Sequence, residues 1–439
     1  MSLADRPLAD DTDVLVIGGG PAGSTVSALL ARRGWRVTLL EKDHHPRFHI
    51  GESLLPMNVP IFQRLGVLDA VRAIGVRKLG ADFPAHNERG YNVFRFDRML
   101  RPGAGYAFQV RRDQLDQLLF EHAVARGVNA RQAIEVTRLE LDEAGVRAHY
   151  AGPEGAGSLR AAYVVDASGR DTLLGTHLKL KRRHRQHQSA ALFAHFQGVE
   201  LRPGEDAGNL SVYRFDQGWI WLIPLPDGRV SIGAVCRPEY LKTRRGSREE
   251  FLLRTLESVP AVRERMRGAR VIEHLQATGN YSYECRRMCG RRWIMVGDAC
   301  AFLDPIFSTG VYLAMWSAEQ AVEVVDGALR EPRRERSLQR RYVRGLRRGM
   351  RLVSWFIVRF TTPAMRALFS EPRNYLGVEQ AMISMLGGDF FESAGVRWRL
   401  ELFKCFYYLT VLGVWRESLA DRRERRRQLT VSFPTGAEP

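Results

Sequence analysis

A glycine-rich turn between two short apolar runs is the feature that most constrains the fold of this chain. The runs are Asp13–Gly18 and Arg36–Leu40, and a helical pattern, Ser24–Arg33, lies between them. Continuous Val, Leu and Ile residues are typical of strands that are buried in a parallel sheet. The unit is about thirty residues long, as a strand–helix–strand crossover requires. The sequence therefore predicts an α/β protein built on a doubly wound, Rossmann-like sheet.

The turn at Gly18–Gly23 fits the spacing G-x-G-x-x-G. A first glycine permits the tight turn, a second lets phosphates approach the backbone, and a third lets the helix pack against the strand. The helix then offers free N–H groups and its positive dipole to the phosphates. A purely structural turn is the alternative, but the strand, the helix and an acid after the second strand are in register. The residues predicted to bind a dinucleotide are Gly18, Gly20, Ala22, Gly23 and Glu41.

Beyond this unit the chain changes character several times. A helix is predicted at Arg112–Arg126 and a buried strand at Tyr163–Asp166. Short strands then follow at close intervals, as in an antiparallel sheet. Another buried strand is predicted at Trp293–Val296, and from Glu331 onward the pattern is helical. The predicted divisions are the first part of a nucleotide-binding domain at 10–188, an inserted antiparallel β-sheet substrate domain at 189–290, a return to the first domain at 291–328, and a C-terminal helical region at 329–439.

Charge and cysteine content narrow the class of protein. The 439 residues include 66 basic and 49 acidic side chains, and the net charge is +17. Because sixty of the basic residues are arginine and six are lysine, we attribute the excess to genome composition and expect no nucleic-acid partner. A basic surface favours anionic cofactors and acidic protein partners. Five scattered cysteines and an N-terminal segment without a secretory pattern predict a cytoplasmic protein without a metal site.

An apolar C-terminal stretch, Leu402–Trp415, is interrupted by Lys404 and is shorter than a bilayer span. We expect its aromatic residues to pack as a helical cap, with interfacial membrane contact as the alternative. Arg422–Arg427 is interpreted as a solvated helix end.

Three motifs outside the glycine turn point to FAD as the dinucleotide. Gly297-Asp298 follows one buried strand, Asp166–Arg170 follows another, and Arg112 begins a helix. These elements resemble those of two-domain, aromatic-hydroxylase-like flavoproteins. The resemblance implies that Asp298 binds the ribityl chain and that Arg112 reaches the nucleotide. The alternatives are a helix N-cap for Asp298 and a surface charge for Arg112.

Two tryptophans distinguish a particular group within that class. In Gly218–Pro224 the residues Trp219 and Trp221 are two apart, so in a strand their indoles lie on the same face. A hydrophobic ladder in the core is the alternative. The pattern W-x-W-x-I-P, which ends at Pro224, is similar to the signature of flavin-dependent halogenases, and the resemblance covers roughly residues 10–325. It implies that the indoles and the proline border a tunnel beside the flavin.

Lys78 lies in a K-x-G-x-x-F motif that resembles the halogenase element carrying the family's essential lysine. An exposed, solvated lysine is the alternative. In a chain with ten times as many arginines, a lysine at this motif position favours a chemical role. Unlike a guanidinium, an ammonium can lose a proton and act as a nucleophilic amine. The resemblance implies that Lys78 is catalytic.

The segment Asp304–Gly310 resembles the halogenase loop beside the flavin ring. The resemblance implies that Pro305 contacts the flavin and that the backbone of Ser308, Thr309 and Gly310 holds the halide, since amides at a helix start bind anions. A simple helix cap is the alternative. Tryptophan halogenases carry glutamate where this chain has Phe307, and this difference argues against free tryptophan as the substrate.

A stretch upstream, Ile50–Ser53, is preceded by Arg47 and resembles family residues near the isoalloxazine ring. The resemblance therefore implies that Arg47 and Ser53 belong to the FAD site. His44, His45 and His49 lie nearby, and we interpret them as polar loop residues in preference to metal ligands.

The halogenase resemblance implies a complete reaction. A flavin C4a-hydroperoxide, formed from FADH2 and O2, would oxidise chloride or bromide to hypohalous acid, which passes to Lys78. An electron-rich phenolic or pyrrolyl ring, either free or bound to an acyl or peptidyl carrier protein, would then be halogenated in secondary metabolism, such as antibiotic or pigment biosynthesis. A separate flavin reductase would supply FADH2, since the chain holds a single complete glycine fingerprint. The alternative is a flavin-dependent aromatic monooxygenase or reductase of the same fold.

Overall fold

The structure, a computed structural model, describes residues 11–416 and Leu419, apart from residues 85–89, 102, 144, 274, 303, 371–373 and 392. The strands are β1 (Asp11–Ile17), β2 (Val37–Leu40), β3 (Gly75–Lys78), β4 (Gly80–Pro84), β5 (Tyr91–Arg95), β6 (Ala107–Val110), β7 (Asn129–Arg131), β8 (Glu135–Leu141), β9 (Val146–Gly152), β10 (Gly155–Asp166), β11 (Lys181–Gln197), β12 (Leu210–Phe215), β13 (Gly218–Pro224), β14 (Arg229–Cys236), β15 (Arg270–Val271), β16 (Gln276–Cys285), β17 (Cys289–Gly290), β18 (Trp293–Met295) and β19 (Ala301–Phe302).

The helices are α1 (Pro21–Ala31), α2 (Asn58–Leu65), α3 (Leu68–Ala73), α4 (Arg112–Ala125), α5 (Leu173–His177), α6 (Pro238–Lys242), α7 (Arg248–Glu257), α8 (Pro260–Arg265), α9 (Thr309–Arg330), α10 (Glu335–Arg359), α11 (Pro363–Ser370), α12 (Val378–Leu386) and α13 (Ala394–Gly413).

The first sheet has the order β17-β18-β10-β1-β2-β7, and β8 and β9 join it through β10. Strands β18, β10, β1, β2 and β7 are parallel to their neighbours in this order. Val14, at the centre, pairs with Tyr163 on β10 and with Val37 on β2. The apolar run of β1 is buried because helices cover parallel sheets on both faces. The predicted α/β class is confirmed, and the carboxyl ends of these strands meet at one edge.

The second sheet is largely antiparallel, with the order β19-β16-β11-β14-β13-β12-β4-β5 and with β15 paired to β11. The inserted antiparallel sheet that the sequence predicted is therefore present. It also takes in β4 and β5, from a segment that the sequence grouped with the first domain, and β11 runs across the predicted boundary at 188/189. Alternation predicts that a segment is a strand, but it does not indicate which sheet the strand joins. The division into domains stays a prediction.

Helices form the C-terminal part, as predicted. α9 packs against α1 and α10. Aromatic residues pack between these helices. For example, the ring of Trp316 on α9 stacks on Phe391 with centroids 3.8 Å apart. The stretch Leu402–Trp415 lies mostly within α13. Among the described helices, none combines the length and the apolar character that crossing a bilayer requires. Arg422–Arg427 lies outside the described residues.

Candidate active site

A cavity of about 980 Å³ opens where the carboxyl edge of the first sheet faces the second sheet. Most of the residues predicted from sequence contribute to its wall. These are Gly18, Gly20, Ala22, Glu41, Arg47, Ser53, Arg112, Trp219, Trp221, Asp298, Pro305, Ser308, Thr309 and Gly310. Gly23, Lys78 and Pro224 lie outside this lining. The structure thus brings together motifs that are almost 300 positions apart in the chain.

The glycine turn is shaped for a close approach of ligand to backbone. Gly18 has a φ of 100°, and a Cβ there would lie 2.4 Å from the carbonyl oxygen of Ala167. A Cβ on Gly23 would lie 1.8 Å from the carbonyl oxygen of Gly18, so a glycine here lets helix α1 pack closely against the turn. Gly20 is the N-cap of α1 and supplies no side-chain cap. The first N–H groups of α1 are therefore free to bind phosphate, which fits FAD.

Glu41 lies at the end of β2, beside the turn. Its Oε2 accepts a hydrogen bond from Gly19 N at 2.6 Å, and its Oε1 accepts one from Asp43 N at 3.0 Å. The side chain is buried, and Arg47 Nη2 lies 3.3 Å from Oε2. These contacts fix the carboxylate at the cavity wall, where it fits a ribose hydroxyl.

Arg112 is held by a partner that the sequence analysis did not single out. Its Nε and Nη2 donate to the two carboxylate oxygens of Asp116, each at 2.9 Å, and its Nη1 donates to Ile50 O at 2.6 Å. Burial raises the pKa of Asp116, but the charge and hydrogen bonds of Arg112 outweigh it and hold the pKa below its usual range. Arg47 Nη1 lies 3.6 Å from the same carboxylate. The spacing of four residues on α4 was the signal for this pair.

Asp298 lies in the turn between β18 and α9 and faces the cavity. The N-cap of that turn is Val296, so Asp298 is not the capping residue that the alternative interpretation supposed. Burial raises the pKa of Asp298 to about 6, although Arg170 and Arg112 act in the opposite direction. Its carboxyl group is therefore a strong hydrogen-bond acceptor in a poorly solvated place, which fits a sugar or ribityl hydroxyl.

The loop before α9 is ordered by its own first residue. Asp304 Oδ1 accepts from Ile306 N at 3.1 Å, and Ser308 takes a left-handed conformation with a φ of 55°. Helix α9, of 22 residues, begins at Thr309, and Ser308 provides no side-chain cap. A Cβ on Gly310 would meet nothing within 4 Å. The start of a long helix therefore lies at the cavity wall, with Thr309 and Gly310 in its first turn, and this geometry fits a small anion.

The two tryptophans of β13 stand side by side. Their ring centroids are 5.6 Å apart with planes inclined by 46°, and both rings are buried. Trp221 Nε1 donates to Ser231 Oγ at 3.2 Å, which fixes its orientation. The indoles are thus both part of the core and part of the cavity wall. Pro224, at the end of β13, pairs with Val230 on β14.

Lys78 is buried, with 1% of its surface exposed, so the interpretation as a solvated lysine is wrong. Its Nζ donates to Ser53 Oγ at 2.9 Å and to Leu54 O at 3.1 Å. Burial lowers the pKa of Lys78 to about 7, and the charge of Asp82 only partly opposes this effect. Because Ser53 lines the cavity, the amine is hydrogen-bonded to a residue of the cavity wall.

Sequence analysis also missed a charged cluster that begins at Glu52, next to Ser53 in the chain. His195 Nε2 lies 2.7 Å from Oε1 of Glu52, and Nδ1 lies 2.8 Å from Oε2 of Glu273. Glu52 contributes to the cavity wall. His195 stands in the apolar pattern of β11, and nothing in the local sequence marks its partners.

Residues 11–355 match the FAD binding domain family. This match covers well over half of the chain, so the prediction of FAD as the cofactor is confirmed.

The chain is also similar to known halogenases. A tryptophan 2-halogenase from Chondromyces crocatus is 37% identical over 322 residues, which cover 71% of this chain and 60% of that protein. A 1H-pyrrole-2-carbonyl-(peptidyl-carrier protein) chlorinase from Pseudomonas fluorescens is 28% identical over 411 residues, which cover 87% of this chain and 90% of that protein. The chain thus matches less than two thirds of the length of the first of these relatives.

Solved structures agree with the fold. A flavoprotein/dehydrogenase from Cytophaga hutchinsonii has a TM-score of 0.84 and 25% identity, covering 92% of this chain and 99% of its own. The myxobacterial chondrochloren halogenase has a TM-score of 0.75 and 28% identity, covering 90% of this chain and 97% of its own. With the family match and the halogenase relatives, these results show that the chain belongs to the flavin-dependent halogenases, which use reduced FAD, a halide and O2.

Proposed function

We propose that this chain is an FADH2-dependent halogenase that makes hypohalous acid in the cavity and uses Lys78 to direct halogenation of an electron-rich aromatic ring. The observation that carries the proposal is the position of the Lys78 amine. It is buried, it has a lowered pKa, and it donates a hydrogen bond to Ser53, which lines the cavity. The glycine turn, the two tryptophans and the loop before α9 all line this cavity.

FAD fits the residues that line the cavity. The first turn of α1 and the glycines would hold its pyrophosphate, Glu41 a ribose hydroxyl, and Asp298 the ribityl chain. Reduced FAD, when bound, supplies the chemistry in which O2, one halide ion and one proton are converted to hypohalous acid and water. The backbone N–H groups at Thr309 and Gly310 would hold the halide.

Trp219 and Trp221 support separation of the oxidant from the organic substrate. Both indoles are buried and line the cavity. With FAD bound, we expect them to exclude an aromatic ring from the flavin and to admit a small anion. Pro224 would stiffen the end of the strand that carries them. A hydroxylase needs direct contact between its substrate and the flavin, so this arrangement favours halogenation over hydroxylation.

Lys78 can act because its pKa of about 7 leaves much of the amine neutral at neutral pH. A neutral amine reacts with hypohalous acid to give an N–halogen bond and water. The halogen then passes to the ring carbon, the ring proton leaves, and the amine is regenerated. The alternative is that Lys78 keeps its hydrogens and donates a hydrogen bond to hypohalous acid, which polarises the oxidant toward the ring.

The proposed substrates are phenolic or pyrrolyl rings, either free or bound to a carrier protein. Phe307, in place of the glutamate of tryptophan halogenases, is buried against Phe360 with ring centroids 5.6 Å apart. The similarity to a chlorinase of a carrier-bound pyrrole supports this class. The similarity to a tryptophan 2-halogenase makes tryptophan a necessary member of any substrate test.

The proposed partners are a separate flavin reductase and, for carrier-bound substrates, an acidic carrier protein. Support for the second comes from a groove of about 810 Å³ between α10 and α13. Five exposed arginines of α10 lie along it, and no described residue forms an ion pair with any of them. They are Arg336, Arg340, Arg344, Arg348 and Arg351. An acidic surface would neutralise this row of charge and be steered toward it.

A cytoplasmic location is part of the proposal. All five cysteines lie among the described residues, and each is a free thiol. Unpaired thiols are typical of proteins in a reducing compartment.

The test is incubation of the protein with FAD, a flavin reductase, NADH and bromide. The panel should hold free phenols, free pyrroles and tryptophan, and the same phenols and pyrroles on carrier proteins. Mass spectrometry detects bromination by its isotope pattern, and omission of bromide is the control. Hydroxylated products that form equally well without bromide would favour the monooxygenase alternative and overturn the proposal.

A further inference from the structure

A histidine and two glutamates connect the cavity wall with the surface of the protein. Glu52 lines the cavity and has 5% of its side chain exposed, as does His195. Glu273, on the far side of the imidazole, has 38% of its side chain exposed. The two nitrogens of His195 lie 2.7 Å from Glu52 and 2.8 Å from Glu273. The row therefore leads from two buried groups at the cavity to one exposed group at the surface. Nε2 of His195 is hydrogen-bonded to Glu52, whereas Nδ1 lies at ion-pair distance from Glu273 without hydrogen-bond geometry.

The backbones of Glu52 and His195 are held in place by different elements. The backbone carbonyl of Glu52 accepts from Val110 N on β6 at 2.8 Å. His195 lies on β11, opposite Ser231 on β14, and its carbonyl accepts from Ile272 N at 2.9 Å. Backbone hydrogen bonds therefore fix the positions of Glu52 and His195.

The charges around His195 favour its imidazolium form. Burial lowers the pKa of His195, but the hydrogen bond to Glu52 and the charges of Glu52 and Glu273 outweigh burial, and the pKa lies above its usual value. From β14, Arg229 pairs with Glu273 and limits this effect. The charge of Arg111 also acts on Glu273. The ring of Phe48 lies beside the imidazole, with its centroid 6.3 Å from that of His195.

Such a histidine can take a proton at one nitrogen and release one at the other. Conversion of a halide ion, reduced FAD and O2 to hypohalous acid, FAD and water consumes one proton per turnover. Bound FAD would displace water from the cavity, so a defined route for that proton would be of use there. Lys78 is not on this route, since its Nζ bonds to Ser53 and Leu54.

We propose that Glu273, His195 and Glu52 form a proton path from solvent to the flavin cavity. A proton enters at Glu273, moves to Nδ1 of His195, leaves from Nε2 to Glu52, and is available at the cavity wall. Glu52 is the group that faces the reacting molecules. His195 and Glu273 act through it and are positioning residues. The inference rests on the proposed halogenation, and it adds a role for three side chains that the reaction scheme did not use.

The first test needs no turnover. Histidine labelled with ¹³C at Cε1 allows the pKa of His195 to be read by NMR in the protein without FAD, with assignment by the His195→Gln spectrum. We expect titration above pH 6.5 in the wild type and at lower pH in Glu52→Gln and in Glu273→Gln. Titration that neither substitution moves would overturn the proposal.

The second test follows product formation against pH. Glu273→Gln, at a half-exposed position, should fold normally and lower the rate at alkaline pH by about tenfold or more, because proton entry is lost. Its affinity for oxidised FAD should stay at the wild-type value. His149→Gln is the matched control, since His149 contacts Glu140 on the surface, away from the cavity. An unchanged pH profile in Glu273→Gln would overturn the path even if the NMR coupling is present.

A third measurement separates the path from a structural role. His195→Ala should lose activity that added imidazole restores, because the freed space accepts the same ring. Loss of activity without restoration, together with a lowered melting temperature, would assign His195 to packing alone. A wild-type enzyme that forms no halogenated product would instead contradict the proposed function and leave the NMR result standing on its own.

Discussion

Lys78 shows how burial changes what a residue can do. An exposed lysine is protonated at neutral pH and its chemistry is that of a solvated cation. Here the side chain is enclosed, and its Nζ has two oxygen partners, Ser53 Oγ and Leu54 O. Removal from water disfavours the charged form, which lowers the pKa to about 7. The same residue type therefore becomes a proton-releasing amine next to a cavity.

Replacement of Lys78 by Met, which has similar length, should leave FAD binding intact and reduce halogenated product by about 10²–10⁴-fold, the usual range for a group that transfers protons or positions a reactant. Wild-type activity should rise between about pH 6 and pH 8 as the amine loses its proton. Liquid chromatography with mass spectrometry measures the product, and flavin fluorescence measures binding. Lys242→Met, at an exposed position of α6, is the control. Wild-type rates in Lys78→Met would contradict the assigned role.

The same substitution should change how stability depends on pH. The folded-state pKa of Lys78 lies below its unfolded value of 10.5, so the unfolded chain binds more protons between pH 7 and pH 10.5. Stability of the wild type should therefore rise with pH across this window, by about 1.4 kcal/mol for each unit between the two pKa values. In Lys78→Met this rise in stability with pH should be absent. Chemical denaturation of both proteins at several pH values would measure the difference.

Among the elements, α10 carries an unusual distribution of charge. Five arginines spaced by three or four residues extend over about 22 Å of the helix, at 1.5 Å per residue. Like charges at this spacing destabilise a helix by about 0.2–0.5 kcal/mol per pair. The buried face, which includes Tyr342, Leu346 and Phe356, offsets this cost. The exposed face is therefore where we propose that an acidic partner binds.

Charge reversal at the centre of this row, Arg340→Glu with Arg344→Glu, should weaken binding of an acidic carrier protein by at least about tenfold at low ionic strength, since electrostatic steering and attraction are both lost. Turnover of free aromatic substrates should be unchanged. Surface plasmon resonance at two salt concentrations measures the effect. Arg244→Glu, at an exposed position after α6, is the control. Equal loss in the control would assign the effect to net charge and not to this groove.

In the whole molecule, the cavity joins the two sheets, because its lining comes from β13 of the second sheet and from the strand ends of the first. A core of buried residues is continuous across both, from Val14 in β1 to Trp221 in β13. A ligand in this cavity therefore contacts both halves of the fold at once.

FAD at 100 times its dissociation constant should raise the free energy of unfolding by about 2.7 kcal/mol. Both sheets should unfold in one transition, which calorimetry would show as a single peak that moves as a whole. Gly23→Ala should lose this increment, because its Cβ would lie 1.8 Å from Gly18 O. Gly413→Ala, where a Cβ meets nothing within 4 Å, is the control. Two peaks, of which FAD moves only one, would contradict this expectation.

Local sequence patterns determined most of the secondary structure of this protein and the position of its glycine turn. The glycine turn, the buried strands and the helix at Arg112 follow from patterns within thirty residues, since backbone propensity and periodic burial act at short range. The motifs at Trp219 and Thr309 were also recognisable in isolation. Tertiary structure decided the rest: that β4 and β5 join the second sheet, that Lys78 is buried behind Ser53, and that His195 meets Glu52 across 143 positions. Such contacts depend on packing between distant segments, and no periodicity along the chain encodes them.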